Sequence, residues 1–435
     1  MDALNPALPP AFARYPGRSS AAGESVLNIV LFIAVLTSSI AFIEPSPTDA
    51  MMFVLLVACI VARVRFDPKL VPLLMLVVLW FVGGSIATIM DDDQKSYQFL
   101  GTSAYLDISC VMIACLFCDG DLVRLSILRR AYLLAALIAV VAGYIGWFHL
   151  VPWYDSFLLY GRVAGTFKDP NVFGPFLIFP LLMLILGFLT RRVTLVGLTV
   201  MLFLLGGLFL SFSRGAWMHF LVSSLVAVVL AYAVAPDSRA RGRIIAISLL
   251  AALVIAVLVI GLLSIPSIYD TFLDRAKAIE PYDVGSEGRF TQQGIALGVI
   301  LNNPFGIGSF KFADVFGLQQ HNVYLQGFLV YGWLGGAAYL TLVLLTLLLG
   351  LRCVMMPTPW RTYLIAAFAA YVGDVGEGSI IDSDHWRHFF LLVGMIWGLS
   401  VANINWRRRQ ILEPQALAPQ ALAIDSRAAM LLAAT

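Results

Sequence analysis

Arg214 is the residue whose chemistry and position together demand the most explanation. It lies in segment 211–215 (SFSRG), a very short connection between two long apolar runs. If those runs cross a membrane, the guanidinium lies near membrane depth, where an arginine is costly unless it pairs or reaches water. Arg214 is therefore either part of a site for an anion, or an arginine whose long side chain reaches the headgroups or a nearby aspartate.

Arg289 follows the polar segment 285–288 (GSEG) and opens a short predicted helix, 290–301. A guanidinium at such a place offers two parallel N–H donors to a phosphate. The alternative is an ion pair with Glu287 or Asp283 on a solvated surface.

His321 begins segment 321–324 (HNVY), just before another apolar run. Asn322 is a suitable N-cap for the following helix, which places the imidazole beside the positive end of the helix dipole. That environment favours the neutral ring, the form that acts as a general base. A histidine that only caps the helix or packs at an interface is the alternative.

Four more ionisable residues are candidates for substrate binding. Arg162 and Lys168 precede the sixth apolar run, and Asp382 and Asp384 lie in the polar segment 382–387 (DSDHWR). Three interpretations of the two aspartates are open: they hold a divalent metal with a sugar diphosphate, they position the basic residues, or they are ordinary solvated charge.

The elements that must position these residues are membrane helices. Hydrophobic residues make up 60% of the 435 residues and charged residues 12%, with a mean hydropathy of +0.89. A water-soluble chain carries roughly 25% charged residues. The net charge of +2 comes without a basic cluster, so nothing indicates a nucleic-acid partner. The composition predicts an all-α polytopic protein whose partners include membrane lipids.

About twelve apolar runs meet or approach the roughly 20 residues that a membrane span needs. They are 26–43, 50–62, 70–90, 97–118, 131–150, 172–190, 193–212, 216–235, 244–264, 323–350, 362–375 and 388–404.

The basic residues of the short connections predict the orientation of these spans. Counted from an inside N-terminus, the even-numbered connections carry Arg63, Arg65, Lys69, Arg124, Arg129, Arg130, Arg191, Arg192, Arg239, Arg241, Arg243, Arg352 and Arg361. The first two outward connections are acid-rich instead. Because lysine and arginine accumulate in cytoplasmic loops, both termini are expected in the cytoplasm and the candidate residues on the outer face.

The same assignment divides the chain into three parts. Residues 1–25 form a cytoplasmic N-terminal segment, 26–405 the transmembrane domain, and 406–435 a cytoplasmic tail. A large outer loop, 265–322, lies between the ninth and tenth spans, with short helices predicted at 267–279 and 290–301.

In order along the chain, several segments resemble the bacterial O-antigen ligase/polymerase family. These segments are 161–171 (GRVAGTFKDPN), 212–215 (FSRG), 288–289 (GR), 303–308 (NPFGIG), 321–325 (HNVYL) and 331–336 (YGWLGG). The resemblance runs from about Arg162 to the end of the tenth span and more loosely to Trp397. It lies in the order of the segments around the large loop, since each segment alone is common.

The resemblance implies a membrane glycosyltransferase of the GT-C type, working at the periplasmic face of the bacterial inner membrane. It implies an undecaprenyl-diphosphate-linked glycan as donor, a lipid A-core or saccharide acceptor, no cofactor and no metal. The family's two arginines and histidine match Arg214, Arg289 and His321. Arg162 resembles a further basic position, and Asp382 or Asp384 an acidic one.

Three functions remain open at this point. A ligase transfers the glycan to lipid A core, whereas an O-antigen or exopolysaccharide polymerase transfers it to a growing chain, and the acceptor is not visible in the sequence. The third function, from another class, is a transporter of polysaccharide or lipid-linked sugar. Transporters place ionisable residues near the bilayer midplane and often have two repeated halves. Here the charges lie at the outer boundary and no repeat is visible, which favours a transferase over a transporter. The mechanism that the resemblance implies is a single displacement, which would invert the anomeric centre.

Overall fold

The protein is described by a computed structural model covering residues 21–43, 45–190, 193–275 and 288–432, with backbone alone for 411–432 and for Ala21, Asp274, Arg275 and Arg289. In chain order, the α-helices of these ranges are α1 Ala21–Leu36, α2 Pro47–Val61, α3 Val71–Asp91, α4 Gln94–Phe117, α5 Leu122–Trp147, α6 Pro170–Phe176, α7 Ile178–Thr190, α8 Leu195–Leu210, α9 Arg214–Ala233, α10 Ser238–Leu263, α11 Pro266–Arg275, α12 Arg289–Asn302, α13 Lys311–Phe316, α14 Val323–Val354, α15 Arg361–Glu377 and α16 Arg387–Leu432. A two-stranded hairpin, β1 Leu158–Leu159 and β2 Arg162–Val163, precedes α6.

Each predicted apolar run coincides with a helix, and the fold is that of an all-α polytopic membrane protein. Within the described ranges, nine helical segments are long and apolar enough to cross a membrane. The sixth run is divided between α6 and α7, with Pro175 inside α6. Helices α2, α8 and α15 have 15, 16 and 17 residues, which is short for a span. The total of twelve spans therefore stays a prediction.

Hydrogen bonds and ion pairs show which connections between helices lie at the same end of the bundle. At one end Ala41 N–H donates to Thr166 O at 2.9 Å, and Arg387 binds both carboxylate oxygens of Asp49 at 2.8 and 2.9 Å. At the other end Arg124 contacts Glu24 at 3.0 Å. The first end, called the site end below, also holds Arg162, Arg214 and His321. The connections predicted to face outward thus lie together at the site end, and the arginine-rich connections lie at the opposite end.

The centre of the bundle is formed by α15 and α16, and its margin by α10. In the apolar, membrane-spanning segment of α16, 83% of the residues are buried, against 6% in that of α10. Leu249, Leu253 and Ile260 of α10 are exposed, as expected for side chains that face lipid tails. Buried helices in the middle can carry polar side chains, because neighbouring helices supply partners for them.

Helix α14 has an interruption that the apolar run did not predict. Gly332 adopts φ +65°, and a Cβ at this position would lie 2.7 Å from the carbonyl carbon of Phe305. The interruption frees Leu329 O to accept a hydrogen bond from Ile307 N–H at 2.7 Å, while Trp333 N–H donates to Pro304 O at 2.8 Å. Two segments of the family resemblance, 303–308 and 331–336, are thus the two sides of one contact.

The stretch between α10 and α14 contains α11, α12 and α13. Helix α12 matches the predicted helix 290–301, and α11 matches the first part of 267–279, whose remaining residues lie outside the described ranges. The last helix does not end near residue 404 but continues to Leu432. The predicted domain limits stay predictions.

Candidate functional site

The hairpin β1–β2 places Arg162 beside the turn that leads into α9. Tyr160 and Gly161 both have positive φ, 51° and 71°, as a tight two-residue hairpin turn requires. Arg162 then donates from Nε to Ser211 O and from Nη2 to Asn171 Oδ1, both at 2.9 Å. The guanidinium therefore holds the end of α8 and the start of α6 together.

Arg214 is the first residue of α9 and is half-buried. Ser213 caps the helix, since its Oγ accepts from Ala216 N–H at 3.3 Å. The next residue, Gly215, packs against the end of α15: a Cβ at Gly215 would lie 2.5 Å from Glu377 Oε1. The structure thus brings Arg162 and Arg214 to the same turn and sets that turn against the end of α15.

His321 lies at the other side of the same helix end. Val323 N–H donates to Gly378 O at 2.8 Å, and Asn322 Nδ2 donates to Ser379 O at 3.0 Å. Asn322 Oδ1 also accepts from the N–H groups of Tyr324 and Leu325 at 3.0 and 3.1 Å, so the predicted N-cap is confirmed. The start of α14 and the start of α9 are therefore both fixed to the last turn of α15.

Asp382 is the immediate neighbour of His321. Its Oδ2 lies 3.5 Å from His321 Nδ1, and its Oδ1 accepts from Asn322 N–H at 2.9 Å. Burial raises the pKa of the Asp382 carboxyl above its ordinary value, and the contact with His321 opposes that rise. His321 itself has φ +46°, so the surrounding contacts hold its backbone in the left-handed region. A histidine with a carboxylate partner is the usual arrangement of a general base.

Asp384 belongs to different surroundings. It is 3% exposed, and its Oδ2 accepts from Tyr331 O–H at 3.5 Å and lies 3.3 Å from His385 Nδ1. The two carboxylates of segment 382–387 thus serve different neighbours. Asp382 is the one with the ion-pair contact to His321, and the charge of Asp384 adds to the rise in the pKa of Asp382.

Lys168 is exposed and lines a pocket of about 220 Å³ that also includes Arg387, His385 and His388. The residue after it, Asp169, accepts from the N–H of Asn171 at 2.7 Å, and Asn171 Oδ1 accepts from Arg162. Lys168 is therefore close in the chain to the Arg162 contact, but the pocket it lines is bordered by α1, α4 and α16.

Arg289 begins α12, and its side chain lies outside what the structure describes. Gln293, one turn further along α12, has its Nε2 3.5 Å from His321 O and 3.4 Å from Ser379 O. At the far end of α12, Ile300 O accepts from Trp333 Nε1 at 2.9 Å. These contacts place the first turn of α12 next to His321, and the role of Arg289 stays a prediction.

An ionisable cluster that the sequence analysis did not assign lies next to this site. His219 of α9, Asp374 and Glu377 of α15 and His388 of α16 are all buried. The sequence did contain a signal: Asp374 lies inside the eleventh apolar run and Glu377 two residues after it, and carboxylates are costly in a membrane and mark a functional position by default.

A large apolar cavity opens beside α9. It has a volume of about 780 Å³ and is lined by side chains of α7–α11, among them Trp217, Phe209 and Phe272. Trp217 lies one turn after Arg214. The site end therefore combines guanidinium groups and an imidazole with an adjacent hydrocarbon-lined space, which suits a ligand with an anionic head and an apolar tail.

The sequence comparisons agree with this arrangement. Residues 199–340, about a third of the chain, match the family model described as O-antigen ligase. The matched region runs from α8 into α14 and contains Arg214, Arg289 and His321. No curated protein matches the sequence.

Proposed function

We propose that this chain, a polytopic membrane protein of the O-antigen ligase family, transfers an undecaprenyl-diphosphate-linked glycan to a lipid A-core acceptor. The family supports an O-antigen ligase or polymerase type of glycosyl transfer. The observation that carries the proposal is that the segments of Arg214 and His321 both pack against the last turn of α15. The turn of Arg214 packs there through Gly215 and Glu377, and the loop of His321 through Val323 and Gly378.

The guanidinium groups act on the donor. When the glycosidic bond to the diphosphate breaks, the electron pair leaves with the diphosphate, whose negative charge grows. Arginines stabilise such charge best where they are already oriented and water is partly excluded. Arg214 is half-buried at a helix start, and Arg162 fixes the preceding turn through Ser211. Arg289, at the start of α12, is the second arginine proposed to bind the diphosphate.

His321 acts on the acceptor. The acceptor hydroxyl oxygen attacks the anomeric carbon while its proton passes to the imidazole, a contribution of about 10²–10⁴-fold. Asp382 then faces the imidazolium that has formed, at 3.5 Å. A single displacement of this kind inverts the anomeric centre, and binding donor and acceptor together supplies much of the remaining acceleration.

The cavity lined by Trp217, Phe209 and Phe272 is proposed to hold part of the polyprenyl chain. Its lining is almost entirely apolar, and it begins one turn from Arg214. A diphosphate bound at Arg214 would therefore have its hydrocarbon tail beside a surface that matches it.

The distribution of charge supports the predicted orientation. The end of the bundle opposite the site contains Arg124 and Arg243, whereas the site end contains acidic connections such as Asp91–Asp93. By the positive-inside rule the site end faces the periplasm, and both termini lie in the cytoplasm of a bacterial cell.

Substitution of the three principal residues tests the proposal. His321→Ala, Arg214→Ala and Arg289→Ala, each expressed in a strain that lacks the native gene, should abolish glycan transfer without reducing the amount of protein in the membrane. His149→Ala is the matched control, since His149 also has a positive φ of 52° at the site end but is exposed. Normal glycan on gels from His321→Ala cells would remove His321 from the mechanism.

The same deletion strain separates ligase from polymerase. Loss of a ligase leaves long glycan chains on the carrier lipid, whereas loss of a polymerase leaves single repeats joined to lipid A core. Chains retained on the carrier would support the acceptor proposed here. Single repeats would assign the same site to polymerisation.

A further inference from the structure

Beyond the transfer site, the structure holds a buried group of ionisable side chains where α9, α15 and α16 meet. We propose that His219, Asp374 and Glu377 bind a divalent first-row transition metal, with His388 as an outer partner of Asp374. Their side chains are almost completely inaccessible, and Asp374 is 0% exposed. Charged groups at such depth need a partner of opposite charge.

The donor atoms already have the spacing of a coordination site. One atom from each of the three residues lies within 4.8 Å of the others. His219 Nδ1 is 2.8 Å from Glu377 Oε2 and 3.7 Å from Asp374 Oδ1. A metal with ligand distances of about 2.0–2.2 Å separates neighbouring donor atoms by roughly 3–3.5 Å, so small side-chain shifts would admit the ion.

The hydrogen bond on the far side of the imidazole fixes which nitrogen faces the carboxylates. His219 Nε2 lies 2.9 Å from Ala370 O, and a carbonyl oxygen only accepts, so Nε2 carries the proton. In the neutral ring, Nδ1 therefore presents a lone pair to two carboxylates. Such an arrangement is repulsive unless a cation or a proton lies between them. A metal-bound histidine usually donates its other N–H to a carbonyl in this way.

A proton on His219 alone would balance the charge of only one of the two carboxylates. An imidazolium at His219 would satisfy Glu377 at 2.8 Å. Within the described part of the chain, however, both oxygens of Asp374 lack a hydrogen-bond partner, and so does His388 Nε2, which lies 3.6 Å from Asp374 Oδ1. A divalent ion balances both carboxylates and leaves no unpaired charge, which is the condition for burying them.

Two glycines, Gly373 and Gly215, leave space for the side chains of the proposed ligands. A Cβ at Gly373 would lie 2.0 Å from His219 Cδ2, and a Cβ at Gly215 would lie 2.5 Å from Glu377 Oε1. Because neither glycine has a Cβ, α9 and α15 can approach each other closely at the proposed ligands. A metal there would clamp the start of α9 to the end of α15, and so fix Arg214 relative to the loop of His321. It would not touch the reacting atoms of the proposed transfer step.

The metal content of the purified protein tests this proposal without an assay of glycan transfer. Full-length protein without a histidine tag is purified in detergent with metal-free buffers, and its metals are measured by mass spectrometry. After chelation, Zn²⁺, Mn²⁺ and Co²⁺ are titrated back, with melting temperature and the visible absorption of bound Co²⁺ as readouts. The wild type should retain or rebind about one ion per chain, with a rise in melting temperature on rebinding.

Asp374→Asn keeps the size of the side chain and should lower occupancy at least tenfold, whereas Ser223→Ala, one turn after His219 on α9, should retain the ion. If Asp374→Asn does not fold, the Co²⁺ spectrum of the wild type still decides the question. A wild-type protein that contains no stoichiometric metal and shows neither a Co²⁺ spectrum nor a thermal shift would overturn the proposal. Equal metal binding by wild type and Asp374→Asn would also overturn it.

Discussion

Replacement of Asp382 by asparagine is the most informative perturbation of the proposed transfer site. Asparagine has the same size, and its oxygen can still accept from Asn322 N–H, so the loop should keep its shape. What is lost is a negative charge 3.5 Å from His321 Nδ1. If His321 takes the acceptor proton, that charge stabilises the imidazolium in the transition state and has no comparable effect on the neutral ground state.

The size of the effect follows from Coulomb's law. At 3.5 Å the attraction between unit charges is about 1 kcal/mol in water and about 5 kcal/mol at an effective dielectric constant of 20. The side chains of His321 and Asp382 are 34% and 20% exposed, so solvent screens the pair and the lower half of that range applies. A loss of about 1.4–2.7 kcal/mol corresponds to about 10–100-fold in the rate of transfer.

The assay is transfer of lipid-linked glycan to acceptor by purified protein in detergent, with Asp384→Asn as the matched control. Asp384 is two residues away but contacts Tyr331 and His385, so its replacement should leave the rate of the folded fraction nearly unchanged. In a His321→Ala background, Asp382→Asn should cost nothing further, because its effect acts through the imidazole. This role for Asp382 would be refuted if Asp382→Asn and Asp384→Asn lowered the transfer rate equally. It would also be refuted if Asp382→Asn lowered the rate as much in the His321→Ala background as in the wild type.

Three further predictions concern other parts of the site end. Arg162→Lys retains the charge but cannot make both 2.9 Å hydrogen bonds, so transfer should fall about tenfold; unchanged transfer would show that charge alone matters. Gly332→Ala should lower the melting temperature more than Gly317→Ala, since both glycines have positive φ but a Cβ at Gly332 alone would meet backbone, 2.7 Å away. Because burial raises the pKa of Asp382, the folded protein holds this proton more tightly than the unfolded chain, and the carboxyl contributes more stability as the pH falls. The melting temperature of wild type minus that of Asp382→Asn should therefore increase as the pH falls from neutral towards about 4, the ordinary range of an aspartate carboxyl, and the opposite slope would contradict the cause assigned here.

The sequence alone predicted an all-α polytopic membrane protein, and the structure has that fold. A span is local: about 20 apolar residues form a helix whose backbone groups satisfy one another, whatever their neighbours are. The predicted runs are accordingly helical, the sixth as two helices and the tenth with an interruption at Gly332, and Asn322 caps α14 as its residue type indicates. The sequence also marked Arg214 as a candidate site for an anion, because an arginine near membrane depth is costly unless it pairs or reaches water.

Only the tertiary structure decided which ionisable groups are neighbours. Asp382 and Asp384 are equivalent in the sequence, yet one contacts His321 and the other is buried against Tyr331. The interruption at Gly332 and the His219–Glu377 contact likewise join residues far apart in the chain. Such contacts depend on how closely helices approach and at what rotation. Packing of whole helices sets both, and no local run of residues encodes either.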